Sequence, residues 1–168
     1  MAANGPATGQ HIGFLLLKRA AKFDMTFVPY SGGPPAINSL LGEHVTAVFT
    51  DYAGVSEQLK TGALRALAVA TRTRIDLLPD IPAVAETYED FESEGWLGLV
   101  APAKTPKETV MQLAGWFTAA LQEPDVKAKL VAQGLFPDAT CAADFRAFIR
   151  KRYDEYGGIL RESNIKLQ

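Results

Sequence analysis

Apolar and polar positions follow two different rhythms along this chain, and the switches between them mark out its elements. Ile12, Phe14, Leu15, Leu16 and Leu17 recur at helical spacing within residues 10–22, a stretch that ends on Lys18, Arg19 and Lys22. Cations in the last turn suit a helix dipole, so an amphipathic helix is predicted there. Asp24 to Tyr30 reads as a strand, residues 34–42 as a short helix stopped by Gly42, and Val45 to Thr50 as a strand with Asp51 at its carboxyl end. Residues 53–60 read as a helix closed by Gly62. Leu64 to Ala70 is largely apolar, as a strand covered on both faces should be. This βαβαβ order predicts an α/β fold with right-handed crossovers.

Beyond residue 70 the texture changes. Pro79 and Pro82 stiffen a loop, and an acidic, irregular stretch follows with Glu86, Glu89, Asp90, Glu92 and Glu94. That stretch reads as a solvated loop without the alternating ligand spacing of a calcium site. Trp96 to Ala101 reads as another strand. Helices are predicted near 106–122, 124–133 and 141–162. Thr105 is expected to cap the first of them, with Pro106 opening it and Glu108 closing a capping box. Phe145, Phe148, Ile149, Tyr153 and Tyr156 fall at helical spacing in the last, which points to packing. The predicted division is an α/β lobe over 1–95, then a hinge strand and C-terminal helices over 96–168.

Two loops carry the candidate chemistry. In Phe27-Val28-Pro29-Tyr30-Ser31-Gly32-Gly33-Pro34-Pro35-Ala36 a strand ends in a glycine turn that opens directly into a helix. Such a turn presents unpaired N–H groups to an anion, or it is a plain connection with no ligand. The second loop, Ala2 to His11, is small, polar and glycine-rich and also leads into a helix, with Thr8 as its N-cap candidate. Side by side at the carboxyl edge of a parallel sheet, the two would form an anion pocket at a topological switch point. His11 either donates to a bound carboxylate or is a solvated first-turn histidine. Asp51 either orients a hydroxyl or caps the helix near 53.

Composition removes several classes of function. The 168 residues carry a net charge of −2, which gives no electrostatic case for nucleic acid or an anionic membrane surface. No apolar run is long enough to span a bilayer, and no basic segment followed by an apolar one marks a signal peptide in the chain as it stands. Cys141 is alone, so neither a disulfide framework nor a thiolate cluster is expected. His11 and His44 have no acidic partner at ligand spacing, so no metal and no cofactor are expected. Ser31 and Ser56 lack a paired base, which leaves hydrolase chemistry unsupported.

Several short runs occur in a telling order: Val28-Pro29-Tyr30-Ser31-Gly32-Gly33, Leu40-Leu41-Gly42, Gly62-Ala63-Leu64-Arg65-Ala66-Leu67-Ala68-Val69, Leu78-Pro79-Asp80-Ile81-Pro82-Ala83-Val84-Ala85-Glu86, Trp96-Leu97-Gly98-Leu99-Val100-Ala101-Pro102 and Asp144-Phe145-Arg146-Ala147-Phe148-Ile149. With them the chain resembles the solute-binding receptors of tripartite tricarboxylate transporters, the TctC or Bug family. The resemblance implies a periplasmic-binding-protein-like, Venus-flytrap (type 2) lobe and a non-catalytic receptor for a small carboxylate. It implies a periplasmic location and a membrane permease as partner. It places Asn4, Gly5, Thr8, Gly9 and His11, with Tyr30, Gly32 and Gly33, in one half of the ligand site, and Asp51 at a strand end where the family carries Asp or Asn. Ser31, Glu43, Thr46 and Thr50 depart from the family's usual residues, which bears on ligand identity. The resemblance also implies that the first half of lobe 1 is missing. Uncovered aromatic faces at 106–122 and 141–162 then predict a homo-oligomer through the C-terminal helices. A binding-inactive scaffold and an α/β enzyme using the glycine loops are the rival readings.

Overall fold

The structure is a computed structural model that describes residues 1–163 and 165. Its chain divides into two compact units. One comprises Met1–Gly95 together with the chain from Tyr156 onward, and the other comprises Trp96–Glu155.

The first unit is built on a small parallel sheet. Strand β1 (Ala2–Asn4) pairs with β2 (Val28–Tyr30), Ala2 opposite Val28 and Asn4 opposite Tyr30. On the other side of β1, Ala2 forms a parallel bridge with Val48 through Ala2 N–H to Ala47 O at 2.8 Å and Phe49 N–H to Ala2 O at 2.9 Å. The strand between β2 and the 45–50 segment is thus the first one in sequence. The chain leaves β1 to one side and returns to the other, which creates a switch point at the carboxyl ends of β1 and the 45–50 segment.

The sheet is narrower than the sequence pattern predicts. The strand expected over Asp24–Tyr30 is paired only over Val28–Tyr30, and that over Val45–Thr50 is reduced to its single bridge. Leu64–Ala70 makes one bridge, Val69 with Ala83, and Trp96–Ala101 forms no strand. A three-residue central strand offers backbone partners to only a short length of each neighbour.

Helices follow their periodicity closely. Helix α1 (Gly9–Ala21) is capped by Thr8, whose hydroxyl accepts from His11 N–H, and ends at Lys22 in a left-handed conformation. Helix α2 (Gly33–Leu41) and helix α3 (Tyr52–Lys60) follow the two later strand ends. Gly42 caps α2 at φ −84°, and the left-handed position falls on Glu43 at φ 59°. The core of this unit is formed by Ala2, Ala3, Ile12, Phe14, Ala36, Ile37, Val55, Ala83 and Phe91, with Ile159 and Leu160. Gly13 permits close packing: a Cβ there would lie 2.5 Å from the Phe49 ring and 2.7 Å from Ser93 Oγ.

The second unit holds α4 (Lys107–Gln122), α5 (Pro124–Ala132) and most of α6 (Ala142–Glu162). Pro106, not Thr105, is the N-cap of α4, and no side chain caps it. Pro106 is extended, at φ −54° and ψ 142°, so the helix starts one residue later than the capping box requires. Trp96 meets Phe145 and Phe148 edge-on, with ring centroids 6.0 and 5.4 Å apart, and the Arg152 guanidinium lies over the Phe148 ring. No residue of 96–155 is buried. Leu97 and Val100 are 82% and 84% exposed, and Trp116 and Phe117 lie open on α4.

Candidate functional site

Three chain segments converge at the switch point. β1 ends on Asn4, the 45–50 segment ends on Thr50 and Asp51, and the turn after β2 delivers Gly33 at the start of α2. Together with Pro34, Ile37 and Asn38 of α2 and Ala53, Gly54 and Gln58 of α3, they line a cavity of about 370 Å³. Ligands of open α/β sheets bind at such a crevice.

Local chemistry explains the shape. Gly32 precedes α2 at φ 156° and ψ 177°, a conformation essentially reserved for glycine, and this turns the chain abruptly from β2 into the helix. A helix start leaves four backbone donors without intrahelical acceptors. In α2 two of those positions are Pro34 and Pro35, which have no N–H, so only Gly32 and Gly33 can donate. In α3 Gly54 N–H turns back to Asp51 O at 3.2 Å, while Tyr52 and Ala53 lie too early in the helix for an intrahelical acceptor.

Asp51 occupies the N-cap position of α3 but its carboxylate does not cap the helix. Instead Gln10 Nε2, from the first turn of α1, donates to Asp51 Oδ2 at 2.7 Å. Asp51 is exposed and, among the described residues, is the one formal charge lining the cavity.

Of the nine residues singled out in the sequence, the structure brings Asn4, Gly33 and Asp51 to the cavity wall. Gly32 stands beside it as the N-cap of α2. Thr8 is engaged within its own loop, donating to Gly5 O at 2.9 Å and accepting from His11 N–H. Gly9 is exposed at the start of α1. Tyr30 shares a hydrogen bond between its hydroxyl and Ser39 Oγ. His11 is buried, stacks on Phe27 at 3.8 Å between ring centroids, and accepts Ala7 N–H at Nδ1. Burial holds the His11 imidazole below its usual pKa, and the accepted bond fixes the neutral tautomer with its proton on Nε2.

The cavity also contains polar residues outside those nine: Thr50, noted in the sequence only as a departure from the family's usual residue, and Asn38 and Gln58. Thr50 was legible in principle, because it precedes Asp51 at a strand end. Asn38 and Gln58 are polar positions on surface helices, which no local signal separates from solvated ones. Among the described residues no cluster of His, Cys, Asp or Glu could hold a metal, and no helix is long and apolar enough to cross a membrane.

The model of the tripartite tricarboxylate transporter family receptor matches residues 1–165. Protein BugT of Bordetella pertussis is 32% identical over 153 residues, covering 90% of this chain and 46% of BugT. A solved structure described as a periplasmic transporter superposes with a TM-score of 0.86 at 30% identity, over 99% of this chain and 56% of the other. MatC from Rhodopseudomonas palustris with bound malate superposes with a TM-score of 0.81 at 26% identity, over 95% of this chain and 56% of MatC. The chain thus spans about half the length of these relatives.

Proposed function

Since this chain belongs to the tripartite tricarboxylate transporter receptor family, whose members are receptors and not enzymes, we propose that it binds a small organic acid without transforming it. The observation that carries this reading is the switch-point cavity itself. It combines the backbone donors at the starts of α2 and α3 with the side-chain amides of Asn4, Asn38 and Gln58. These groups can hold a carboxylate by hydrogen bonds alone. The malate bound to MatC is an acid of the expected size. Gly32, Thr8, Gly5, Gly9, Tyr30 and His11 shape the loops that present those donors. Periplasmic location and delivery to a membrane permease are part of the same proposal, by analogy with the family.

A second element concerns the Trp96–Glu155 unit. Its lack of any buried residue, with Leu97, Val100, Trp116 and Phe117 open, favours a covering surface supplied by another polypeptide segment. A second copy of this chain, packing through the faces of α4 and α6, is the proposed cover. Light scattering of the purified chain tests it: a dimer or larger closed species is expected, and a monodisperse monomer overturns it.

The acid-binding reading is tested by a thermal-shift screen against C3 to C6 mono-, di- and tricarboxylates. A concentration-dependent rise with at least one acid is expected, because a ligand selective for the folded state stabilises it. A cooperative melt that no acid shifts overturns the reading.

A further inference from the structure

The cavity wall contains a feature that a site for a plain carboxylate does not need. Its one formal charge is negative: the Asp51 carboxylate, exposed, with Oδ2 held by Gln10 at 2.7 Å. That contact orients the group without neutralising it, since Gln10 is uncharged. Among the described residues no lysine, arginine or histidine lines the cavity. The adjacent start of α2 is also a weakened anion site, because Pro34 and Pro35 remove two of its four open donors. An anionic ligand facing only these groups would meet the negative charge of Asp51 where it needs donors.

We infer that Asp51 is a specificity-determining residue that accepts a hydrogen bond from the ligand, so that the preferred acids carry an hydroxyl or ammonium donor besides their carboxylates. This rests on the organic-acid reading above. The ligand's carboxylate is then left to the start of α3 and the side-chain amides, while its donor group meets Asp51 Oδ1. Gln10 acts as a positioning residue, holding the other oxygen and so fixing the direction in which the free one points. An ammonium gains a charge attraction in addition to the hydrogen bond, so amino acids should rank above hydroxy acids, and both above unsubstituted diacids.

Titration calorimetry of the full chain with succinate, L-malate and L-aspartate tests the inference, because the three share a four-carbon diacid frame and differ in the donor. Malate and aspartate are expected to bind at least about tenfold more tightly than succinate, as for other hydrogen bonds to a charged partner. Asp51→Ala is expected to bring the three within about threefold of one another and to bind succinate at least as tightly as the parent, a gain that a misfolded variant could not show. Asp51→Asn keeps an acceptor and loses the charge, so malate should stay ahead of succinate while aspartate loses its lead. If the three acids bind the parent chain alike, or if Asp51→Ala leaves the ranking intact, the role of Asp51 is overturned and the receptor reading stands. If no organic acid binds the parent chain, the receptor reading falls and this inference with it.

Discussion

Arg74 and Glu86 form a two-point ion pair, Nε to Oε1 at 2.7 Å and Nη2 to Oε2 at 2.8 Å, and Glu86 Oε1 also accepts Ala83 N–H at 2.9 Å. Arg74 further donates to Pro79 O, so one guanidinium ties both ends of the proline-stiffened loop. The Arg74 hydrogen bonds first, and then the Ala83 N–H, lower the Glu86 carboxyl from its ordinary 4.5 to about 2. A depressed carboxyl stabilises the fold fully above its unfolded value and loses that contribution as pH falls toward the folded one. The difference in urea midpoint between the parent chain and Arg74→Ala should therefore be constant from pH 7 to about 5 and shrink as pH falls toward 2, to the remainder contributed by the Pro79 O contact. A difference independent of pH would dissociate the pair from stability.

His11 predicts a second pH dependence, of separate origin. Burial lowers its folded pKa below the ordinary 6.5, so below 6.5 the unfolded chain binds the proton more readily. Stability should decline as pH falls through 6.5 and level off beneath the folded value. Thermal melts between pH 7.5 and 5 should show the slope in the parent chain and a flatter profile in His11→Gln. An unchanged profile in His11→Gln would assign the slope to other groups.

Gly13 should not tolerate a methyl group. Its Cβ would lie 2.5 Å from the Phe49 ring and 2.7 Å from Ser93 Oγ, within a buried stretch of α1. Gly13→Ala gains helix propensity, but overpacking of this kind costs about 1–3 kcal/mol. The melting temperature should fall by roughly 2–4 °C per kcal/mol. An equal or higher melting temperature would show that Phe49 moves aside freely.

Glu43 predicts the opposite sign. It holds a left-handed backbone at φ 59° just past α2, where a side chain is disfavoured by about 1–2 kcal/mol. Glu43→Gly relieves this at the cost of a more flexible unfolded chain, and a net gain of about 0.5–1 kcal/mol is expected. Chemical denaturation should show a higher midpoint with an unchanged slope.

The helices were legible because their signals are local. Periodicity and terminal residues locate all of α1 to α6 within a residue or so of the observed ends. The cap of α4 differs from the expected one because the extended ψ of Pro106 makes it the last residue outside the helix, so Thr105 is too early to cap it. Strands were less legible, because a strand exists only where a neighbour supplies partners. Ala2 and Ala3 look like loop residues, yet they are buried in the central strand; Leu64 to Ala70 looks like a strand, yet makes one bridge. The candidate site divides in the same way. Asn4, Gly33 and Asp51 sit at turn positions with recognisable chemistry, whereas Asn38 and Gln58 reach the cavity only through the packing of α2 and α3.

The position of β1 has a consequence for biosynthesis. Ala2 lies between Val28 and Val48 in the sheet, yet precedes both in the chain. As the polypeptide leaves the ribosome, β1 emerges before either neighbour exists; it can pair with β2 once Tyr30 is out and with Val48 only later. Two loops must then close onto the same three residues. The complete sheet, and the cavity above it, can form only after Asp51 has cleared the exit tunnel, so a chain stalled before that point would leave one side of β1 without its Val48 bridge.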